Sequence, residues 1–356
     1  MRKWFLLCCL VMSLPLFSAS SIPVLDMRDY HNPQTRNRFI RQLKNAAEEV
    51  GFFALLHFGI EDALLKTAYQ GSEAFFRLDI DTKMKYCIRE LAGQRGYVPG
   101  ESAKGEMRPD YKEFFTVGRE ITDCNVWPKE VNLEKPLLRL FSEIEKCKGP
   151  LEAAFSEALG QSRGFFGQKT RRGESILRLF HYPRKPPSGC FWAAPHTDIN
   201  LFTIFLRATA KGLQLKTKEG EWIEVIVPEK AVVIGCGDMM ENLTNGLFRS
   251  AVHRVCDSER GIERFGMAFY THGGYQDRMD PLDICVGMTG GKPKYAEATA
   301  RELLSERLVD LGLATPEVMQ QLASSGLMQR LMKMGRASPQ AVTALKKAGL
   351  LDEYEQ

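Results

Sequence analysis

The stretch Pro195-His196-Thr197-Asp198-Ile199-Asn200 sets a histidine and a carboxylate two positions apart. In a strand, alternate side chains share a face, so His196 Nε2 and an Asp198 oxygen can reach one metal ion. The third ligand must come from elsewhere. His253, in Ala251-Val252-His253-Arg254-Val255, is the natural candidate on a second strand-like run. Two imidazoles and one carboxylate on one face of an octahedron leave three positions open, the set that suits Fe(II) in oxygen chemistry. A chelating reactant can take two of those positions and O2 the third. Arg264 follows in Glu263-Arg264-Phe265-Gly266-Met267-Ala268-Phe269-Tyr270. On the buried side of a strand, its guanidinium can fork onto a carboxylate in two parallel bonds. Zinc hydrolases also use two His and one Asp, but no hydrolytic base is identifiable, and Arg264 would go unexplained.

Other polar candidates read as structural. His181 precedes Tyr182 and points to the opposite strand face. His57 and His272 lack partners at ligand spacing and read as structural or surface residues. Phe180, Phe191 and Trp192 read as core or pocket lining. Gly235-Cys236-Gly237-Asp238 reads as a turn, because no Lys-Ser/Thr follows to hold a phosphate.

The elements that must position these residues are short. From Ser175 the runs SILRLFHY, LFTIFLR, GLQLKT, WIEVIV, AVVIGC, AVHRVC and RFGMAFY alternate with turn residues. This texture predicts a β-sandwich, barrel or jelly roll and disfavours a parallel α/β sheet. Upstream, IPVLD and FFALLHF read as strands. Asn32-Pro33 reads as a cap and first turn ahead of an apolar helical face from Phe39 to Val50. A second helix is expected over about 62–77 and another over 136–159, with loops around a short strand (EFFTVG) between them. After Tyr295 the chain turns helical again. Thr315-Pro316 to Gly326-Leu327 repeats as Ser338-Pro339 to Gly349-Leu350: hydroxyl cap, Pro at the first helical position, Gly-Leu stop. Two such units predict short helices packed on the core, with docking of a protein partner as the alternative.

The 356 residues carry a net charge of +4, too small an excess for a nucleic-acid footprint. Arg2-Lys3, the apolar run Trp4–Phe17 and Ser18-Ala19-Ser20 predict a signal peptide over 1–20, hence export to a periplasmic or secreted location, with a cytoplasmic one as the alternative. The run is too short to span a bilayer, so no stable membrane span is expected after cleavage. Of the nine cysteines, Cys8 and Cys9 would leave with the signal. The remaining odd number, without a CxxC, argues against a disulfide framework.

The chain resembles the isopenicillin N synthase-like family of Fe(II)/2-oxoglutarate-dependent oxygenases from about Ile22 to Leu313. The blocks IPVLD, GFFALLHFGI, RGYVPGES, KEFFTVGRE and NVWP match in the N-terminal half. LFHYP, APHTDINLFTIFLRATAKGLQL, GEWIEV, GDMMENLTNGLFRSAVHRV and ERFGMAFY match in the second. The resemblance implies an α+β fold: a distorted double-stranded β-helix (jelly roll) core with N-terminal helices, here with a C-terminal helical extension. The implied division is 21–171 (N-terminal region), 172–276 (jelly roll) and 295–356 (extension). The resemblance puts the metal ligands at His196, Asp198 and His253, and the cosubstrate-binding residues at Arg264 and Tyr182. The implied cofactor is Fe(II), with 2-oxoglutarate as cosubstrate. The implied reaction couples oxidative decarboxylation of 2-oxoglutarate to oxidation of a small organic substrate by O2. Two departures stand out. The family's Arg-x-Ser is Arg264-Phe265-Gly266, without the hydroxyl, and its NHGI block reads His57-Phe58-Gly59-Ile60. The competing readings are an O2-only oxidase of the same fold and a non-catalytic exported binding protein.

Overall fold

Segments of four to eight β-branched and aromatic residues bounded by turn residues favour short strands, and twelve strands form among the described residues. They are β1 (Val24–Asp26), β2 (Phe52–Leu56), β3 (Gly96–Val98), β4 (Glu113–Gly118), β5 (Ile176–Tyr182), β6 (Ala193–His196), β7 (Phe202–Phe205), β8 (Leu213–Lys216), β9 (Trp222–Glu224), β10 (Val232–Cys236), β11 (His253–Val255) and β12 (Arg264–Thr271). The protein is described from a computed structural model covering residues 22–100, 110–119, 125–257 and 261–351. The expected signal segment, 1–20, lies outside the described residues.

Among the described residues, eight strands form one sheet in the order β1-β2-β10-β7-β12-β5-β4-β3, and four form a second in the order β6-β11-β8-β9. All pairings are antiparallel except β1 with β2. These are the two sheets of a jelly roll. The strands of the 21–171 region do not make a sheet of their own but extend the larger one at both edges.

Side-chain alternation on β12 and its neighbour β5 gives the large sheet two different faces. Phe265, Met267 and Phe269, with Leu177 and Leu179, enter the main apolar core. Helices Arg36–Glu49, Asp62–Phe76 and Glu134–Ala158 cover that face with Phe39, Leu43, Phe75, Leu140 and Phe155. Each such side chain contributes about 1.5–3 kcal/mol on burial. The other face turns Arg264, Gly266, Ala268 and Tyr270 toward a cavity between the two sheets.

Two local expectations need correction. The first long helix starts at Arg36 rather than at Pro33. Asn32 instead ends the short helix Met27–His31, and its Oδ1 accepts from Gln34 N at 3.0 Å, so a side-chain turn separates the two helices. Gly96–Val98, expected as loop, is a strand paired with β4.

The C-terminal repeat forms as read. Thr315 and Ser338 accept from the backbone N–H of Val318 and Ala341, and Pro316 and Pro339 open the helices Pro316–Ser325 and Pro339–Lys347. Both pack on helix Ala300–Asp310. Leu322, Leu327, Leu331 and Leu345 belong to the same core cluster as the sheet. The apolar faces of these helices are therefore already spent on the core, the first of the two readings. Among the described residues no helix is long and apolar enough to cross a membrane.

Candidate active site

His196 ends β6 and His253 opens β11, and the antiparallel register sets them directly opposite each other. Their rings lie 4.4 Å apart between centroids. Both Nε2 atoms stand 3.8 Å from Asp198 Oδ1. The three residues offer ligand atoms that all lie within 4.8 Å of one another.

The alternation argument for Asp198 needs correction. β6 stops at His196, so Asp198 is not on that strand. A loop carries it, and hydrogen bonds rather than pleating aim it. Thr203 Oγ1 donates to Asp198 Oδ2 at 2.6 Å. The Asp238 N–H donates to the Asp198 carbonyl at 2.7 Å. Oδ1 is left facing the histidines.

The donor set fits a divalent ion. His196 Nδ1 lies 2.7 Å from the Ala194 carbonyl, and His253 Nδ1 lies 3.2 Å from the Ala251 carbonyl. A carbonyl can only accept, so each Nδ1 carries the proton and each Nε2 presents a lone pair to the centre. Asp198 and His253 are buried. Enclosure in the cavity, reinforced by the neighbouring His253, holds the His196 pKa down to about 3 and keeps that imidazole neutral. Phe52 and Phe205 pack against the His253 ring, with centroids at 5.3 and 5.5 Å.

The ligand atoms open onto a cavity of about 530 Å³. Arg264 and Tyr182 pair across β12 and β5 and face into it. Arg264 is buried rather than a surface residue. Its Nε donates to the Ala210 carbonyl at 3.1 Å, and its guanidinium lies 4.9 Å above the Tyr182 ring. Burial raises the Tyr182 hydroxyl pKa, and Arg264 partly offsets that. A guanidinium has the fork geometry to hold a carboxylate in two parallel bonds.

Of the candidates read as structural, His181 behaves so: its ring bridges Glu113 and Glu263 at 2.6 and 2.8 Å on the face away from the cavity. His57 is half exposed and bonds Asp26 at 3.0 Å. Phe180 lines the cavity, whereas Trp192 is buried with its Nε1 donating to the Pro183 carbonyl. His272 departs from expectation. It is buried, lines the cavity, and its Nδ1 has no partner among the described residues. Burial and the nearby Arg178 lower its pKa to about 4. The only sequence signal was its even spacing from Arg264, and β12 ends one residue before it, at Thr271.

Two further contributors had no legible signal. Lys112 lines the cavity and pairs with buried Asp110 at 2.7 Å, and Asp110 Oδ1 accepts from the Ala194 N–H beneath the His196 strand. Arg307, from the C-terminal extension, donates to the Thr197 carbonyl at 2.7 Å.

Comparison with known proteins gives two family models that together cover more than half of the chain. Residues 22–130 match the "non-haem dioxygenase in morphine synthesis N-terminal" model, and residues 173–273 match the "2OG-Fe(II) oxygenase superfamily" model. The 2-oxoglutarate-dependent dioxygenase tropC of Talaromyces stipitatus is 30% identical over 318 residues, covering 81% of this chain and 94% of its own. Gibberellin 2-beta-dioxygenase 8 of Arabidopsis thaliana is 28% identical, covering 79% and 80%. A 2OG-Fe(II) oxygenase family protein of Caulobacter crescentus superposes with a TM-score of 0.72 at 32% identity, over 81% of this chain and 98% of the other.

Proposed function

The chain belongs to the 2OG-Fe(II) oxygenase superfamily, and from that footing we propose that His196, Asp198 and His253 hold its iron and that Arg264 with Tyr182 holds the distal carboxylate of 2-oxoglutarate. The protein is an Fe(II)/2-oxoglutarate-dependent oxygenase acting with O2 on a small organic substrate. When bound, Fe(II) and 2-oxoglutarate supply oxidative decarboxylation to succinate and CO2, coupled to oxidation of the substrate. The residues supply ligand geometry, orientation and a dry site.

The observation that carries the assignment is the register of β6 and β11. It sets the two imidazoles opposite each other, and the loop-borne Asp198 brings one carboxylate oxygen to the same point, at the wall of a cavity that also contains a buried arginine. Arg264 orients an anion with its two terminal nitrogens while Ala210 fixes its Nε. Tyr182 buttresses the guanidinium through its ring face. Ile199, Leu304 and Leu308 add apolar side chains to the cavity lining, and Arg178, His272 and Arg307 add polar ones. This lining supports a partly apolar substrate carrying a polar group. No protein partner is invoked for the C-terminal helices, because their leucines are already buried against the core.

Anaerobic titration of the protein with Fe(II) and then 2-oxoglutarate tests the assignment. The visible charge-transfer band of a chelated 2-oxo acid is expected in the wild type. It should be absent in His253→Ala and should need more 2-oxoglutarate in Arg264→Ala. A band of full intensity in His253→Ala would remove that residue from the ligand set.

A further inference from the structure

Helix Ala300–Asp310 lies beyond the two matched family models, yet one of its faces, Leu304, Arg307 and Leu308, forms part of the cavity wall. Arg307 is the polar member of that face, and its side chain is only 7% exposed. Its two terminal nitrogens have different acceptors. Nη1 donates to the Thr197 carbonyl at 2.7 Å, and Nη2 donates to Asp238 Oδ2 at 2.5 Å.

We propose that Arg307 is a positioning residue for the iron site, acting from the C-terminal extension to lock the loop that carries Asp198. The geometry behind this is specific. The Thr197 carbonyl belongs to the peptide entering Asp198, and Arg307 holds it directly. The Asp198 carbonyl belongs to the peptide leaving it, and the Asp238 N–H holds that one. Asp238 is in turn the ion-pair partner of Arg307. Both peptides flanking the carboxylate ligand are thus pinned by one pair of residues. Asp238 also reaches the other ligand segment, because its Oδ1 accepts from Ser250 Oγ at 2.6 Å, three residues before His253. Thr197 Oγ1 adds a bond to Asp238 Oδ2 at 3.1 Å. A lysine has one nitrogen and cannot serve the carbonyl and the carboxylate with the same fixed fork. A loop-borne ligand has no strand register to hold it, so an outside anchor is what sets its aim.

The inference rests on the iron-ligand assignment above, and the test separates the two. Fe(II) affinity is measured anaerobically on the full chain for the wild type, Arg307→Met and Arg307→Lys, together with the Fe(II)–2-oxoglutarate charge-transfer band and the melting temperature of the metal-free protein. Loss of an outer partner of a metal ligand typically weakens affinity by about 10–100-fold. Arg307→Met should fall in that range with a weakened or shifted band, and Arg307→Lys should recover part of the affinity. Should Arg307→Met not fold, Arg307→Lys carries the test with an expected loss of about threefold or more. Wild-type affinity and an unchanged band in the folded variants would overturn the proposal. A wild-type protein that binds no Fe(II) would overturn the ligand assignment instead.

Discussion

A Cβ on residue 266 would stand 3.0 Å from Nη1 of Arg264. The guanidinium of the proposed cosubstrate anchor therefore lies over the bare backbone of Gly266, in the space where relatives with Arg-x-Ser would place a side chain. Restoring a serine would return the hydroxyl that the family's Arg-x-Ser carries, provided the strand admits a side chain at 266. A side chain there is tight: the Arg264 guanidinium, whose Nε is tied to Ala210, must give way by a few tenths of an ångström to admit it. Gly266→Ala is expected to raise the 2-oxoglutarate KM about fivefold, the equivalent of roughly 1 kcal/mol of overpacking. Initial-rate measurements at saturating Fe(II) decide this, and an unchanged or lower KM would show that Arg264 yields without loss.

Removing the charge itself should act more strongly. A hydrogen bond to a charged group contributes about 1.5–3 kcal/mol, so Arg264→Ala is expected to raise the 2-oxoglutarate requirement at least about tenfold. Fe(II) affinity should stay near wild type, because Arg264 makes no contact with the three ligands. Equal 2-oxoglutarate dependence in the two proteins would point to another carboxylate anchor.

His272 gives the protein an acid-sensitive core position. Burial first, then Arg178, lowers its pKa from 6.5 to about 4 in the folded state. Between those values the unfolded chain takes up a proton that the folded chain does not, so stability falls as pH drops through 6.5 toward 4. At pH 4.5 the loss from this group is about 2–3 kcal/mol. Urea unfolding of metal-free wild type and His272→Gln at pH 7 and 4.5 measures it. The variant should lose less stability over that interval, while the contribution of His196, common to both, cancels. Equal losses would mean that His272 is protonated in the folded protein.

The N-terminal reading has its own test. If residues 1–20 direct export, the mature chain should begin near Ser21, just before the first apolar residues of the fold. Intact mass measurement on protein from its native host decides this. A chain retaining Met1 would count against cleavage after residue 20 and against export.

The sequence by itself determined the candidates for the centre: residue types able to hold iron, an arginine able to hold a carboxylate, and short punctuated strands around them. His196, Asp198, His253 and Arg264 were legible as candidates because motif spacing is a local property, whereas Tyr182 came from the family resemblance and Asp198 does not lie on the strand that parity assumed. The caps of the C-terminal helices were legible for the same reason, since a cap is satisfied within a few residues. What only the tertiary structure decided depends on contacts between distant segments. The pairing of β6 with β11 sets His253 opposite His196. Asp198 is aimed by Thr203 and Asp238 rather than by a strand. The Arg264 guanidinium lies close over the bare backbone of Gly266. His272 turned inward, and Arg307 crossed from a helix that sequence spacing could not connect to the metal loop. A hydrogen bond across more than a hundred residues leaves no periodicity in the chain, because its geometry exists only once the sheets and helices have packed.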